Sequence, residues 1–249
     1  MRKFTFLFAA IACVALQMQA VVVENVAGEL SSRLTDTKVT ELTITGSLDA
    51  RDFKYMADKC NDLTGVDLSS AKILAYEGAE PVFGQQITYQ ANEIPQTSFF
   101  GKPLTSVVLP SDVRIVGYAA FAGCEGITQI EFPASLDSIS GYAFSATGFS
   151  TLALPATVTK IGEGAFSRCE KLTSATIEAG HIGAKAFFAD AALTDVKFGS
   201  GVTAIGNGAF AGCKSLATLR WSDATQLVLI GSEAFIATQM SDAALAKFQ

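Results

Sequence analysis

The sequence predicts a repeat solenoid, built mainly of parallel β-strands with short helical turns, because three features recur together along most of its length. An Ala-Phe pair returns every 21 to 25 residues, an Ile-Gly pair usually precedes it, and each unit begins with an apolar run of the type L-x-x-V-x-L. The phenylalanines of the Ala-Phe pair are Phe121, Phe144, Phe166, Phe187, Phe210 and Phe235. A fixed period of this length is typical of a stack of coils.

Each unit begins with a predicted strand. In the run from Leu104, Val107 and Leu109 are two residues apart, so they share the buried face while the residue between them faces solvent. Pro110 then ends the strand, because it lacks an N–H donor. The glycine after the isoleucine, as in Ile161-Gly162, is expected to form a tight corner with positive φ. Stacked phenylalanines would contribute about 2 kcal/mol of burial each.

Eight coils of about 23 residues are predicted. Six regular units run from Leu104 to about Gln239, and two less regular units begin at Val39 and Leu63. The solenoid is therefore assigned to residues 39–239, with an insertion at 69–93 in the second coil. The flanks of this insertion, 72–76 and 87–90, are expected to pair as a hairpin.

Both ends of such a stack need covering, because a terminal coil exposes the apolar face that a neighbour would bury. Residues 21–38 are predicted to form an N-terminal cap, with a short amphipathic helix over 27–34. Residues 240–249 are predicted to form a C-terminal cap that begins with a helical turn at Ser241.

Residues 1–20 have the features of a secretory signal peptide. Arg2 and Lys3 precede an apolar run from Phe4 to Leu16, and Ala20 is a small residue at the expected cleavage site. The run is shorter than the roughly 20 residues of a membrane span. Lipidation at Cys13 is the alternative, although Ala10 is a poor residue three positions upstream. The mature chain is expected to be exported, without a transmembrane segment, and secreted or held at the cell surface, with the periplasm as an alternative.

The charge balance argues against polyanionic partners. Acidic residues number 24 and basic residues 18, and Arg2 and Lys3 are the only charged residues of the leader, so the remaining chain carries a net charge of −8. Nucleic-acid binding relies on basic side chains against phosphates, and anionic membrane surfaces also attract basic segments. No nucleic-acid partner is expected.

The positions of the cysteines and of the one histidine do not indicate a disulfide, a metal site or a catalytic site. Four cysteines fall at the same position of alternate coils, whose intervening residues are Lys102, Thr147 and Asp190. Neighbouring cysteines would then lie about 9.6 Å apart, beyond the roughly 7 Å that a disulfide spans. Four free, buried thiols are predicted at Cys60, Cys124, Cys169 and Cys213. His181 has no partner set for zinc or for a catalytic triad, so no metal, cofactor or catalytic residue is assigned.

Three groups of residues are candidates for ligand binding. The outward row of the main sheet changes from acidic to basic along the stack, although a merely solvated sheet would have a similar composition; its candidates are Asp67, Glu131, Thr176, Lys197 and Arg220. Tyr118 and Tyr142 occupy one corner of adjacent coils. Aromatic residues of the insertion form the third group, and either they offer a binding surface or the insertion is a lid over the early coils; they are Tyr76, Phe83 and Tyr89.

The residues of single coils resemble a known family. The block from Leu152 to Cys169, LALPATVTKIGEGAFSRC, resembles the BspA-type leucine-rich repeats of bacterial surface proteins. The stretch from Leu42 to Ile73 is similar to the first coils of Bacteroides-type members. Two positions depart from the pattern, because Ser140 replaces the glycine and Glu178 replaces the proline that follows the strand.

The resemblance implies a curved leucine-rich-repeat solenoid that is exported or surface-displayed, adheres to host proteins or other cells, and has no catalytic residues. We therefore expect a non-enzymatic binding or adhesion module that recognises a host or bacterial surface protein through the solenoid face or the insertion. The alternative is a carbohydrate-binding accessory protein at the bacterial cell surface. A hydrolase is disfavoured, because the outward row has no two adjacent carboxylates.

Overall fold

The computed structural model describes residues 20–78, 82–221 and 226–240. Its helices are α1 (Leu30–Arg33) and α2 (Ala50–Lys59). The strands are β1 (Ala20–Asn25), β2 (Glu41–Leu48), β3 (Gly65–Ile73), β4 (Tyr76–Glu77), β5 (Thr88–Tyr89), β6 (Glu93–Ile94), β7 (Ser106–Val108), β8 (Ile115–Val116), β9 (Ser138–Ile139), β10 (Thr151–Leu154), β11 (Lys160–Ile161), β12 (Ser174–Ile182), β13 (Asp195–Ile205), β14 (Thr218–Trp221) and β15 (Leu229–Ile230).

The strands stack in parallel, as expected for a solenoid. One sheet has the order β1-β2-β3-β7, and a second runs β14-β13-β12-β11-β9-β8-β6. The long strands β12 and β13 bend around one edge of the coil, so that β10 pairs with the first half of β12 and β11 with its second half. The strands therefore form a main face (β1, β2, β3, β7, β10, β14 and the first halves of β12 and β13) and an adjoining second face (β6, β8, β9, β11, β15 and the second halves of β12 and β13). The predicted solenoid is confirmed.

The stack has about nine coils, one more than predicted. Strand β1 pairs with β2 in register from Ala20↔Glu41 to Asn25↔Gly46 and forms an additional coil at the N-terminal end. The expected amphipathic helix is present only as α1, with both Leu30 and Leu34 buried. Residues 1–19 of the predicted leader 1–20 and residues 241–249 of the predicted C-terminal cap 240–249 lie outside the described residues, while Ala20 is the first residue of β1.

A column of stacked phenylalanine rings forms the centre of the core. The six rings of the Ala-Phe pairs, with Phe99 as a seventh, lie 5.0 to 5.5 Å apart between centroids and within 15° of parallel. All seven are buried. The predicted ladder is therefore present from Phe99 to Phe235.

The corner glycines have a different role from the one expected. Gly162, Gly183 and Gly206 do not have positive φ; a Cβ on any of them would instead lie 2.4 to 2.6 Å from a backbone atom of the preceding coil. Positive φ occurs two residues later, at Gly164 and Gly208 among others. The glycine after isoleucine is thus required for close approach of neighbouring coils, and the turn is made by the second residue after it.

Helix α2 occupies the place of a helical turn in the first predicted coil, and its length was not expected. Asp52 in its first turn accepts hydrogen bonds from the backbone N–H groups of Asp49, Gly28 and Leu30, at 2.9, 2.7 and 3.0 Å. This buried carboxylate thereby joins α2 to the segment that carries α1. Among the described residues, no helix has the length and apolar character that a membrane span requires.

Candidate functional site

The outward row of the main face is continuous in register except at one coil. Thr43 pairs with Asp67 and Asp67 with Val108, while farther along the stack Thr176 pairs with Lys197 and Lys197 with Arg220. The structure thus brings Asp67 and the trio of Thr176, Lys197 and Arg220 onto one face, in two separate groups.

Acidic neighbours compensate the basic end of this row. The Arg220 guanidinium forms two hydrogen bonds with the Asp195 carboxylate of the preceding coil, at 2.8 and 2.7 Å. The Lys197 ammonium lies 3.4 Å from a carboxylate oxygen of Glu178. The expected change from acidic to basic charge is therefore weaker than the sequence row implied, because both cations are paired on the surface.

Glu131 marks the place where the row is interrupted. Its segment, Gln129–Phe132, forms no strand, and β7 is the last strand of the first sheet. A cleft of about 910 Å³ opens at this point, between Thr105–Leu109 on one side and Gln129–Ala134 on the other. On the opposite side of the coil the stack is intact, because β8 pairs with β9 and β9 with β11.

Tyr118 and Tyr142 form an exposed aromatic corner, as the sequence placed them. Their rings meet edge to face with centroids 5.7 Å apart, and Tyr118 is 51% exposed. The Tyr142 hydroxyl donates to the Glu163 carboxylate at 3.2 Å. Phe100, 63% exposed, borders the same shallow pocket of about 350 Å³. We call Phe100, Tyr118 and Tyr142 the aromatic corner.

Sequence reasoning missed Phe100. The dipeptide Phe99-Phe100 contained the signal, because the ladder accepts one phenylalanine per coil and Phe99 occupies that position. A second large ring directly after it must point outward, where it adds to the exposed apolar surface.

The insertion does not offer the expected aromatic surface. Phe83 is 5% exposed and Tyr89 2% exposed, so their assignment as exposed ligand-binding residues is wrong. Both rings are covered locally: they meet edge to face at 6.3 Å, and the Tyr89 hydroxyl accepts a hydrogen bond from the Phe83 N–H at 3.0 Å. The expected hairpin is present as the short pair Tyr76↔Tyr89 and Glu77↔Thr88.

Helix α2 holds the insertion in place. The Arg51 guanidinium lies 5.1 Å from the centre of the Tyr76 ring, and the Lys54 ammonium lies 5.8 Å from the centre of the Phe83 ring. Such cation–π contacts stabilise by about 0.5–1 kcal/mol each when exposed. Strand β3 continues to Ile73, so 69–73 belong to the sheet rather than to the insertion. These contacts favour the lid over the open binding loop.

The cysteine column is confirmed as four free, buried thiols. The thiols of Cys124 and Cys213 donate to the carbonyl oxygens of Phe99 and Phe187, each at 3.0 Å. Burial raises the pKa of Cys124 and of Cys169 to about 12, and such thiols are poor nucleophiles because the thiolate is the reactive form.

The intervening positions of this column are also buried. The Lys102 ammonium donates to the carbonyl oxygens of Cys60 and Ala57, at 2.9 and 3.0 Å. Asp190 accepts the Cys169 N–H at 2.8 Å, while its other carboxylate oxygen has no partner. Burial raises the pKa of Asp190 well above its ordinary value. The Asp190 carboxyl group therefore has a structural role inside the stack.

His181 lies on the surface of β12, opposite Lys160 and Ala204 of the neighbouring coils. In the part of the chain that the structure describes, no three His, Cys, Asp or Glu side chains are grouped so that they could hold a metal ion.

These stacked parallel coils, with buried ladders and outward rows, define a leucine-rich-repeat type of solenoid. Residues 92–217 and 180–247 match the model of the BspA type leucine-rich repeat region, in six copies. The chain belongs to the BspA-type leucine-rich repeat family. The resemblance seen in single coils is thereby confirmed.

Solved structures agree with this assignment. A leucine-rich repeat protein of T. pallidum is 30% identical, over 62% of this chain and 74% of that one, with a TM-score of 0.57. A leucine-rich repeat protein from Bacteroides ovatus is 19% identical, over 90% and 74%, with a TM-score of 0.50, which shows a shared fold. No curated protein sequence matches the chain.

Proposed function

We propose that this protein is a non-enzymatic binding module, secreted or held at the bacterial cell surface, that recognises a protein ligand through the aromatic corner. The observation that carries the proposal is the exposure of Phe100 and Tyr118 next to Tyr142 around one shallow pocket. Rigid aromatic side chains provide contact area at a low cost in conformational entropy, and for that reason they dominate many protein interfaces.

The fold supports a role in binding. The core of the described coils is occupied by side chains, and the ionisable groups with strongly raised pKa values lie buried in the cysteine column rather than in an open cleft. Catalytic sites often place such perturbed groups at an open cleft instead. The sequence of the leader supports export.

A glycan is the alternative ligand, and one contact favours it. The Tyr142 hydroxyl donates a hydrogen bond to Glu163, so a half-buried aromatic ring and a carboxylate are held side by side. A sugar has an apolar face that stacks on a ring and hydroxyl groups that donate to a carboxylate. This geometry suits a saccharide as well as a peptide.

The test is to probe arrays of bacterial and host surface proteins and of glycans with residues 21–249 and with Tyr118→Ala and Tyr142→Ala variants. We expect a protein ligand whose binding each variant weakens at least tenfold, while the control Val22→Ala, at an exposed residue on the first strand, binds as the parent does. Glycan binding with the same pattern would establish the alternative. Protein binding that neither tyrosine variant weakens would contradict the proposed site.

A further inference from the structure

The interruption of the main face at the fourth predicted coil leaves backbone groups of β7 without partners. The N–H of Ser106 donates to Thr64 of the preceding coil, at 3.2 Å. Alternate residues of a strand direct their backbone groups to opposite sides, so those of Val107 and Leu109 face away from β3 and into the cleft. Within residues 82–221, all of which are described, no backbone hydrogen bond joins these two residues to the next coil.

The other wall of the cleft also has backbone groups without hydrogen-bond partners. Across Gln129–Phe132 no backbone N–H or C=O takes part in a backbone hydrogen bond within the same described range. Buried backbone groups in folded proteins are nearly always paired, and both walls offer the donors and acceptors that an extended chain buried in the cleft would need. Two half-buried side chains, Ile130 and Phe132, add apolar surface.

We infer that this cleft binds an extended peptide segment of a partner protein, which adds as a strand along the free edge of β7. The argument for a polypeptide is that unpaired, regularly spaced N–H and C=O groups are best satisfied by another backbone, as in other cases of strand addition. An open strand edge is ordinarily covered or charged in soluble proteins. Here the exposed Val108 lies on that edge.

The charge at the rim defines the peptide further. Glu131 is exposed and, among the described residues, forms no ion pair, unlike Lys197 and Arg220 on the same row. Glu131 is the one ionisable side chain among the described residues that line the cleft. The preferred segment is therefore apolar at alternate positions and carries a lysine or arginine that reaches Glu131.

The probe is a fluorescein-labelled seven-residue peptide of alternating valine and threonine with lysine at its centre, titrated into residues 21–249 and followed by fluorescence polarisation. The matched control peptide carries N-methyl groups on alternate residues, which removes the N–H donors along one edge. We expect the control to bind at least about tenfold more weakly, since it cannot form the hydrogen bonds that its N–H groups would donate along the edge of β7. Equal binding of the two peptides would overturn the inference.

Two charge variants test the rim. Glu131→Lys should weaken the lysine peptide at least about fivefold and favour a peptide with glutamate at its centre. Glu125→Lys, at an exposed glutamate outside the cleft, should change neither. The variants Tyr118→Ala and Tyr142→Ala should also leave peptide binding unchanged, so a failure of this site and a failure of the aromatic corner remain distinguishable.

Amide hydrogen exchange provides a readout that does not depend on the peptide sequence. The N–H groups of Val107 and Leu109 should exchange fast in the free protein and slow down when the probe binds. Slow exchange in the free protein at every concentration would mean that the sheet is closed, and the inference would fail. Protection that appears only as the protein concentration rises would identify a second copy of this chain as the occupant and would equally reject a separate peptide partner.

Discussion

The phenyl ring of Phe166 stacks on that of Phe187, with centroids 5.3 Å apart and planes 13° from parallel. Each ring of the ladder thus contacts the ring of the next coil, and stabilises both coils. Removing one ring leaves a cavity between two coils that the rigid stack cannot close.

Phe166→Ala is expected to lower the free energy of unfolding by about 3–5 kcal/mol, the usual cost of truncating a buried phenylalanine. Urea denaturation followed by circular dichroism measures this loss. The control is Phe188→Ala, at a partly exposed ring that follows Phe187 and lies outside the ladder, which should cost less than about 1 kcal/mol. Similar losses in the two variants would contradict the ladder as the centre of the core.

Because neighbouring coils approach closely, two glycines of one turn should differ in how well they tolerate substitution by alanine. Gly206→Ala places a methyl group about 2.6 Å from the backbone of Gly183 and Ala184, and should cost about 1–3 kcal/mol. Gly208→Ala meets nothing closer than 3.7 Å, and Ala119 already has φ of 50° at the equivalent position. Its effect should stay within about 1 kcal/mol, because left-handed strain is offset by a stiffer unfolded chain.

Thermal unfolding of the two glycine variants in parallel decides between the two roles. If Gly208→Ala were the more damaging change, positive φ rather than coil spacing would govern the corner.

The buried carboxyl of Asp190 predicts a specific dependence of stability on pH. Its pKa is raised in the folded protein, so its contribution to stability is fully present below the unfolded pKa of about 3.9 and is lost as pH rises through the folded pKa. Asp190→Asn has a similar shape and does not ionise. The melting temperature of the parent should therefore fall relative to that of the variant between pH 4 and pH 8. A constant difference across this range would show that Asp190 does not change its ionisation on folding.

The cysteine column predicts four thiols that react only when the chain unfolds. Iodoacetamide at pH 8 should leave the native protein, as residues 21–249, unlabelled, because burial raises the pKa of Cys124 and Cys169 to about 12. In guanidinium chloride without a reducing agent, mass spectrometry should find four labels. Fewer than four would mean that some cysteines are paired.

Because contacts with α2 hold the insertion in place, their loss should increase the rate at which a protease cleaves the insertion. Phe83→Ala removes a buried ring and its contact with Lys54, so the segment around residues 82–90 should be cleaved by a nonspecific protease more rapidly than in the parent. Ile87→Ala, at an exposed residue of the same segment, should be cleaved as the parent is. An unchanged rate for Phe83→Ala would argue against a packed lid.

Features that repeat were predictable from the sequence. The ladder, the parallel register and the cysteine column recur at every coil or every second coil, so at least four examples define each one. The outward row was predictable for the same reason: the register places Thr176, Lys197 and Arg220 side by side, as their shared position within the repeat required.

Features that occur once were not predictable. Strand β1 lacks the Ala-Phe motif, and the burial of Phe83 depends on contacts with α2 that no period describes. The cleft beside Glu131 arises where one coil leaves the sheet, although its sequence fits the repeat. The expected role of the corner glycine is wrong because glycine serves both positive φ and close packing, and only the structure distinguishes the two.

The backbone contacts at Gly162, Gly183 and Gly206 imply that insertions and deletions in such a protein are tolerated best as entire coils. After duplication or loss of one full coil, every remaining interface still joins like surfaces. The free energy of unfolding should therefore change by about the contribution of one repeat. A single residue inserted between a glycine and its phenylalanine would instead shift one ring out of line with both neighbours. Length variation among homologous chains is thus expected in steps of about 23 residues, with irregular lengths confined to segments that leave the stack, as the insertion that carries β4 and β5 does.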